Sequence, residues 1–248
     1  LINYKEILPD NQVSDFIRCF WKSDSLEDDS DYTILPNGYF DLIIEFRENK
    51  IDRIKITGIW TVPIDVKTIK DTKLLCVRFK PLAAEYLFKM NFRSLINSST
   101  TLPLNFWNLD NLNSNKFDEF IRYISNHIKF IISNAKNIDE RKRNLFDLVF
   151  KKNNFTVKYV SEKTFWGSRQ INRYFKKQYG FSLKTYLDII RFNSIYEEIA
   201  KDNKGLKAGY FDQPHFIREI KKYTGFTPRQ LSKNKNDRFI QLSFLKFG

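Results

Sequence analysis

The chain has 248 residues, 42% of them hydrophobic, with 24 Phe and 12 Tyr but only 8 Gly and 7 Pro, enough apolar material for one large core or two small ones. No apolar run of roughly 18 or more residues occurs and no basic-then-apolar leader opens the chain, so neither a membrane span nor a cleaved signal is expected. The net charge of +13 is lopsided: residues 1–140 hold 18 Lys and Arg against 20 Asp and Glu, a net −2, whereas residues 141–248 hold 24 against 9, a net +15.

In chain order, the first part reads as mixed α and β. Val13, Phe16, Ile17, Phe20 and Trp21 fit a helix and a strand equally. Residues 26–31 form an acidic turn. Pro36-Asn37-Gly38 signals a turn. Tyr39 to Phe46 then reads as a buried strand, Glu48-Asn49-Lys50 as a hairpin turn, and Ile51 to Ile56 as an alternating strand. Further strands are expected at 62–69 and 74–79. A short helix is expected at 82–90, opened by Pro81, and a loop at 98–103. Phe117, Phe120, Ile121, Ile124, Ile128 and Ile131 recur at three and four, which predicts an amphipathic helix over 116–134.

Residues 133–142 are polar and charged and suit a linker. From Leu145 the pattern is helical throughout. Leu145, Leu148 and Val149 belong to a first helix. Thr156 caps a helix over 157–163, Phe165-Trp166-Gly167 makes a turn, and the next helix covers 168–179, closed by Gly180. Ser182 caps a long helix that runs through Ile199. Asp212 caps a helix over 213–224, closed by Gly225, and Thr227-Pro228 opens the last one.

Cysteine and histidine usage narrows the chemistry. Cys19 and Cys76 are far apart and in no metal spacing, as expected of two buried free thiols in a reducing cytoplasm. His127 and His215 are the only histidines, 88 positions apart. Neither a catalytic set nor a metal site is expected, no cofactor is implied, and the chain does not read as an enzyme.

Two segments share a pattern. Ile171-x-Arg173-x-Phe175-Lys-Lys-x-x-Gly180 matches Phe216-x-Arg218-x-Ile220-Lys-Lys-x-x-Gly225 at a constant offset of 45 positions. One supersecondary unit used twice gives such a repeat. Residues 156–180 read as helix, turn, helix, with Ile171, Tyr174 and Phe175 on one face and Arg169, Gln170, Asn172, Arg173 and Lys176 largely on the other. Arg bridges guanine O6 and N7, and Gln or Asn bridges adenine N6 and N7, whereas Lys176 and Lys177 suit phosphates. Taken alone, the segment fits a helical hairpin with a solvated basic face equally well.

The second copy changes that balance. Residues 145–231 resemble the DNA-binding domain of AraC-type bacterial transcription regulators. The resemblance rests on the duplicated run, on Arg191, on Gly209-Tyr-Phe-Asp-Gln-x-His-Phe216 with Arg218, and on Gly225-Phe-Thr-Pro228. It implies two helix-turn-helix units joined by a central helix. In the first unit it makes Arg169, Asn172 and Arg173 base-facing. In the second it places Gln213, Pro214, Ile217 and Arg218 on the corresponding surface, His215 on a helix surface or a phosphate, and Lys221 and Lys222 beside phosphates. Two departures stand out. Leu183 replaces the family's usual Pro, and the interval from Arg191 to Gly209 is 18 positions, about five fewer than usual, which bears on readout by the second unit.

A weaker resemblance to AraC-type sensor domains rests on Leu35 to Phe46, Gly58-Ile-Trp60 and Val77 to Ala84. It implies a ligand or pairing role, with Asp41, Glu45, Trp60, Arg78 and Tyr86 as candidate pocket residues. Asp41 and Arg78 are equally suited to satisfying turns and each other.

The expected architecture is therefore an α+β sensor-like domain followed by an all-α domain with two helix-turn-helix units. Residues 1–135 form a sensor or dimerisation domain, 136–144 a linker, 145–232 the DNA-binding domain and 233–248 a tail. The expected function is sequence-specific regulation of transcription, as an activator in the cytoplasm. The expected partners are double-stranded DNA, RNA polymerase, a small-molecule effector and a second copy of the chain, with no membrane involvement. A non-specific architectural DNA binder is the alternative, and an enzyme with a DNA-targeting tail a more distant one.

Overall fold

The computed structural model describes residues 3–24, 30–135, 138–151, 155–201 and 214–233. A mostly-β part comes first, then a helical part. The β part is a six-stranded antiparallel sheet in the order β1-β2-β7-β4-β5-β8. Its strands are β1 (Asn3–Ile7), β2 (Ile17–Asp24), β4 (Phe40–Arg47), β5 (Lys50–Thr57), β7 (Lys73–Phe79) and β8 (Ser99–Leu102). A separate two-stranded sheet pairs β3 (Ser30–Ile34) with β6 (Ile64–Thr68).

Alternation decides the faces. On β4, Phe40, Leu42, Ile44 and Phe46 are buried and turn to one side, while Asp41, Ile43 and Glu45 turn to the other. The apolar side joins Ile54, Ile56, Val77 and Phe79 in the main core. The helix α2 (Phe117–Ser133) closes that core with Phe120, Ile124 and Ile128, all fully buried, as its three-and-four spacing predicts. The hairpin between β4 and β5 turns through Glu48 and Asn49, both at positive φ.

Of the segment that fitted helix and strand equally, Val13 and Phe16 lie in a turn, and Ile17, Phe20 and Trp21 belong to β2, paired with β1 and β7. The loop expected at 98–103 contains β8 instead. This strand is short and polar and pairs only with β5, so it sits at the sheet's edge and its sequence lacks a core signature. The expected helix at 82–90 is shorter, α1 (Leu82–Tyr86). A 3-10 turn over Phe92–Leu95 follows it, capped by the Asn91 side chain, which accepts from the Arg93 N–H at 2.9 Å.

The helical part comprises α3 (Glu140–Lys151), α4 (Val157–Lys163), α5 (Ser168–Gln178), α6 (Leu183–Lys201), α7 (Pro214–Thr224) and α8 (Pro228–Lys233). The stretch expected as a linker carries the start of α3. Asp139 accepts from the Arg141 N–H at 3.0 Å and caps that start. Glu140 and Arg141 of that stretch are exposed on the helix's first turn, while Lys142 turns in to Glu85. The expected Asp212 cap, Gly205, Gly209 and the tail after Lys233 lie outside the described residues.

The two parts share one apolar cluster. It runs from the sheet through Leu145, Phe146 and Val149 of α3, Val160 of α4, Ile171 and Phe175 of α5, and Tyr186 and Ile190 of α6. Polar ties cross the junction. The Tyr179 hydroxyl donates to the Pro81 carbonyl at 3.1 Å, Tyr186 to the Gly38 carbonyl at 3.1 Å, and the Gln178 amide to the Met90 carbonyl at 2.6 Å. Tyr39 stacks on Phe150 with ring centroids 5.4 Å apart. Lys142 pairs with Glu85, which also accepts from the Tyr174 hydroxyl at 3.2 Å.

Gly58 sets the position of the 3-10 turn. A Cβ there would stand 1.7 Å from the Leu95 carbonyl oxygen, which is backbone and cannot swing aside. Gly58→Ala should therefore push Phe92–Leu95 outward and cost about 1–3 kcal/mol of stability. Denaturant unfolding of the full chain measures this, and an unchanged midpoint would show that the turn yields freely.

Candidate nucleic-acid interface

The first helix-turn-helix is built by local rules. The Thr156 hydroxyl accepts from the Tyr159 N–H at 3.2 Å and starts α4. The chain then reverses through Phe165, at φ 50°, and the Gly167 carbonyl accepts from Gln170 and Ile171 to open α5. Ile171 and Phe175, four apart on α5, are both fully buried. Phe175 lies 5.9 Å from the Phe146 ring and 5.4 Å from the Tyr186 ring. Gly180, at φ +86°, lets the chain leave the helix. Ser182 then caps α6 by accepting from the Thr185 N–H at 3.1 Å.

With that stripe buried, Arg169, Gln170, Arg173, Lys176 and Lys177 are all exposed. Asn172 is not on the same footing. It is half-buried, its amide donates to the Ser168 carbonyl at 3.0 Å, and its oxygen accepts from the Leu183 N–H at 3.1 Å. One donor and one lone pair of the amide are thus used, the second of them tying α5 to the start of α6. Asn172 nevertheless lines the same open face of α5 as Arg169 and Arg173.

The second copy repeats the pattern. Ile220 of α7 is fully buried as Phe175 is, and Gly225 has φ +74°. Thr227 and Gln230 cap α8 reciprocally, the Thr227 N–H reaching Gln230 at 2.8 Å and the Gln230 N–H reaching Thr227 at 3.3 Å. Pro214, Arg218, Lys221 and Lys222 are exposed and Ile217 is half-buried. Arg218 donates to the Pro214 carbonyl at 3.2 Å. The Tyr223 hydroxyl donates to Asp188 of α6 at 2.8 Å and anchors the helix. Gln213 and the His215 side chain lie outside the described residues, as does the segment expected to hold this unit's first helix.

An open groove of about 830 Å³ runs along α5, lined by Arg169, Arg173, Lys176 and Lys177 and, from the β part, by Arg93. Among the described residues no carboxylate lies within ion-pair distance of these five cations or of Arg218, Lys221 and Lys222. Arg93 is the residue the sequence reading missed. It sits outside both copies of the repeat, and no local pattern marks it.

Residues 160–234 match a family model described as a helix-turn-helix domain. This part of the chain is a helix-turn-helix domain of the AraC type, similar to that of the AraC-type transcription regulators. Residues 5–101 of this regulator match a second family model, a domain of unknown function (DUF6597). Two solved structures of ToxT from Vibrio cholerae resemble it along most of its length. An apo variant has 10% identity, with 94% of this chain and 96% of that chain covered and a TM-score of 0.42. The unsaturated fatty acid bound wild-type protein has 11% identity, 94% coverage of each chain and a TM-score of 0.38. No curated protein matches the regulator.

The candidate pocket residues of the β part divide. Asp41 and Arg78 lie directly opposite each other on β4 and β7 and pair at 3.0 Å. Burial opposes the Arg78 charge, but Asp41 beside it holds the guanidinium well above its ordinary pKa. Glu45, on the same face, meets Arg53 at 2.7 Å and Lys55 at 2.5 Å. Trp60 is buried in the loop after β5. Tyr86 is elsewhere, its hydroxyl accepting from the Asp139 N–H at 3.0 Å where α3 begins. That contact places Tyr86 at the junction of the two parts. Cys19 and Cys76 are both free and buried, and burial pushes the Cys19 thiol up to about 12 and Cys76 well above its usual value.

The contrast between neighbours on α5 is testable by urea unfolding of the full chain. Asn172→Ala leaves the Leu183 N–H without its cap and should cost about 0.5–2 kcal/mol. Arg173→Ala, exposed and unpaired, should stay within about 0.5 kcal/mol of the parent. Equal stabilities of the two variants would contradict the capping role.

Proposed function

We propose that this DNA-binding transcription regulator recognises specific duplex sequences through α5 and α7, with its β part biasing that binding. The observation that carries the reading is the pair of exposed basic faces, whose cations pair with no carboxylate among the described residues, repeated 45 positions apart on helices that bury Ile171, Phe175 and Ile220. The basic C-terminal segment is drawn to DNA by release of condensed counterions, a driving force that falls steeply with salt. Recognition helices of this kind enter successive major-groove segments, about 34 Å apart on one face. Arg169, Gln170 and Arg173 at the start of α5, with Arg218 on α7, are the base readers. Lys176, Lys177, Lys221 and Lys222 hold phosphates.

The shared core supports the coupling half of the proposal. A ligand or partner that alters the β part acts on residues already packed against α3, α5 and α6, with no loose tether to absorb the change. The Asp41, Glu45 and Arg78 face is the effector-side candidate, although its charges already compensate one another across β4, β5 and β7.

Sites are to be selected from randomised duplexes with the full chain, and Arg173→Ala and Arg218→Ala then titrated on selected and random DNA at fixed salt. Each substitution should weaken binding to the selected site by about 1–3 kcal/mol, the worth of a bidentate contact, and affect random DNA much less. Equal losses on both kinds of DNA would assign these arginines to phosphate and favour the architectural reading.

A further inference from the structure

We infer that Arg93, in the β part, is a DNA-phosphate contact that extends the basic face of α5, so that both parts of the chain engage one duplex together. The inference rests on the reading of α5 as a recognition helix and goes beyond it by placing a DNA contact outside the helix-turn-helix domain.

Position comes first. Arg93 is exposed, but Phe92 and Leu95 on the same 3-10 turn are buried in the main core, so its backbone is held firmly. The turn abuts the end of α5. A Cβ placed on Gly180 would lie 3.4 Å from Arg93 Cγ and 3.5 Å from its Cα. The bonds from Gln178 to the Met90 carbonyl and from Tyr179 to the Pro81 carbonyl fix that approach on two sides. The Arg93 side chain lines the same groove as Arg169, Arg173, Lys176 and Lys177.

Charge comes second. The five cations share one open groove, and among the described residues no carboxylate pairs with any of them. Like charges so gathered repel one another, and an anionic ligand relieves the repulsion. In a helix-turn-helix complex the start of the recognition helix faces bases, while surrounding cations take the flanking phosphates. Arg93 sits at the opposite end, beside the residue that terminates α5. That is where the sugar-phosphate backbone passes, and the fork geometry of a guanidinium suits a phosphate there.

The test uses the full chain and a random-sequence duplex of about 30 base pairs, titrated over a range of salt concentrations. Arg93→Ala should weaken binding and flatten the plot of log K against log salt by about 0.9, the contribution of one phosphate contact. Arg93→Lys should keep most of the slope. Arg93→Glu should weaken binding further. The loss should be the same on a selected site, because phosphates carry no sequence information. Unfolding midpoints should match the parent. An unchanged slope and affinity for Arg93→Ala, with Lys176→Ala still flattening the slope, would overturn this inference alone. Tighter binding by Arg93→Ala would overturn it too. If Lys176→Ala on this duplex and Arg173→Ala on a selected site were also without effect, the reading of α5 itself would fail.

Discussion

Burial of Ile171 and Phe175, continued by Tyr179 just past the helix, decides where every cation of α5 points. Residues of an α-helix are spaced about 100° apart, so fixing one stripe inward fixes Arg169, Arg173, Lys176 and Lys177 outward. The energies make the choice one-sided. Fully burying a side chain such as Ile or Phe contributes about 1.5–3 kcal/mol, whereas an exposed ion pair contributes about 0–1 kcal/mol. The basic face is thus a consequence of core packing. No surface interaction has to hold it in place.

That stripe does not dock on the helical part alone. Phe146, Phe175, Tyr179, Phe181 and Tyr186 form a ring cluster in which Phe146 meets Tyr179 and Tyr186 edge-on, and two of its tyrosines donate to carbonyls of the β part. Both hydroxyls are deeply buried, and burial keeps them protonated and able to donate. Leaving either without its carbonyl would cost about 1–3 kcal/mol in unmet hydrogen bonding. The junction therefore resists opening through apolar contact and through polar satisfaction at once. The orientation of α5 relative to the sheet is part of the fold.

What the sequence disclosed was local. The repeat, the Thr156 and Ser182 caps, the closing glycines and the α2 stripe each depend on residues a few positions apart, and each stands where the spacing put it. What it concealed was tertiary. β8 is an edge strand without an apolar signature, and β1 likewise pairs only with β2, at the other edge. The charged start of α3 looks like a linker until Asp139 is seen to cap it. Asn172 has the right chemistry for a base and the right helical face. Only its contact with the Leu183 N–H, eleven residues on, shows that it also caps the start of α6. Tyr86 and Arg93 could not be placed from spacing at all, because their neighbours on α3 and α5 come from more than fifty residues away.

The division of charge acquires a structural meaning from these contacts. In the β part, carboxylates stand beside cations: Asp41 with Arg78, Glu45 with Arg53 and Lys55, Asp10 with Lys129. Even the first turns of α3 follow that rule, with Lys142 on Glu85 and Arg143 on Asp15. The rule lapses on α5 and resumes on α6, where Arg191 meets Asp188 at 3.6 Å. An exposed cation gains little from a partner, so its absence costs the fold little. Seven cations on two homologous helix faces, none with a carboxylate partner among the described residues, nevertheless leave a field that water and salt only partly screen. Arg93 is the one member of the β part that joins this field. It does so because Gly58 and the cap at Asn91 hold its turn against the end of α5, where a carboxylate would have closed the groove to anions.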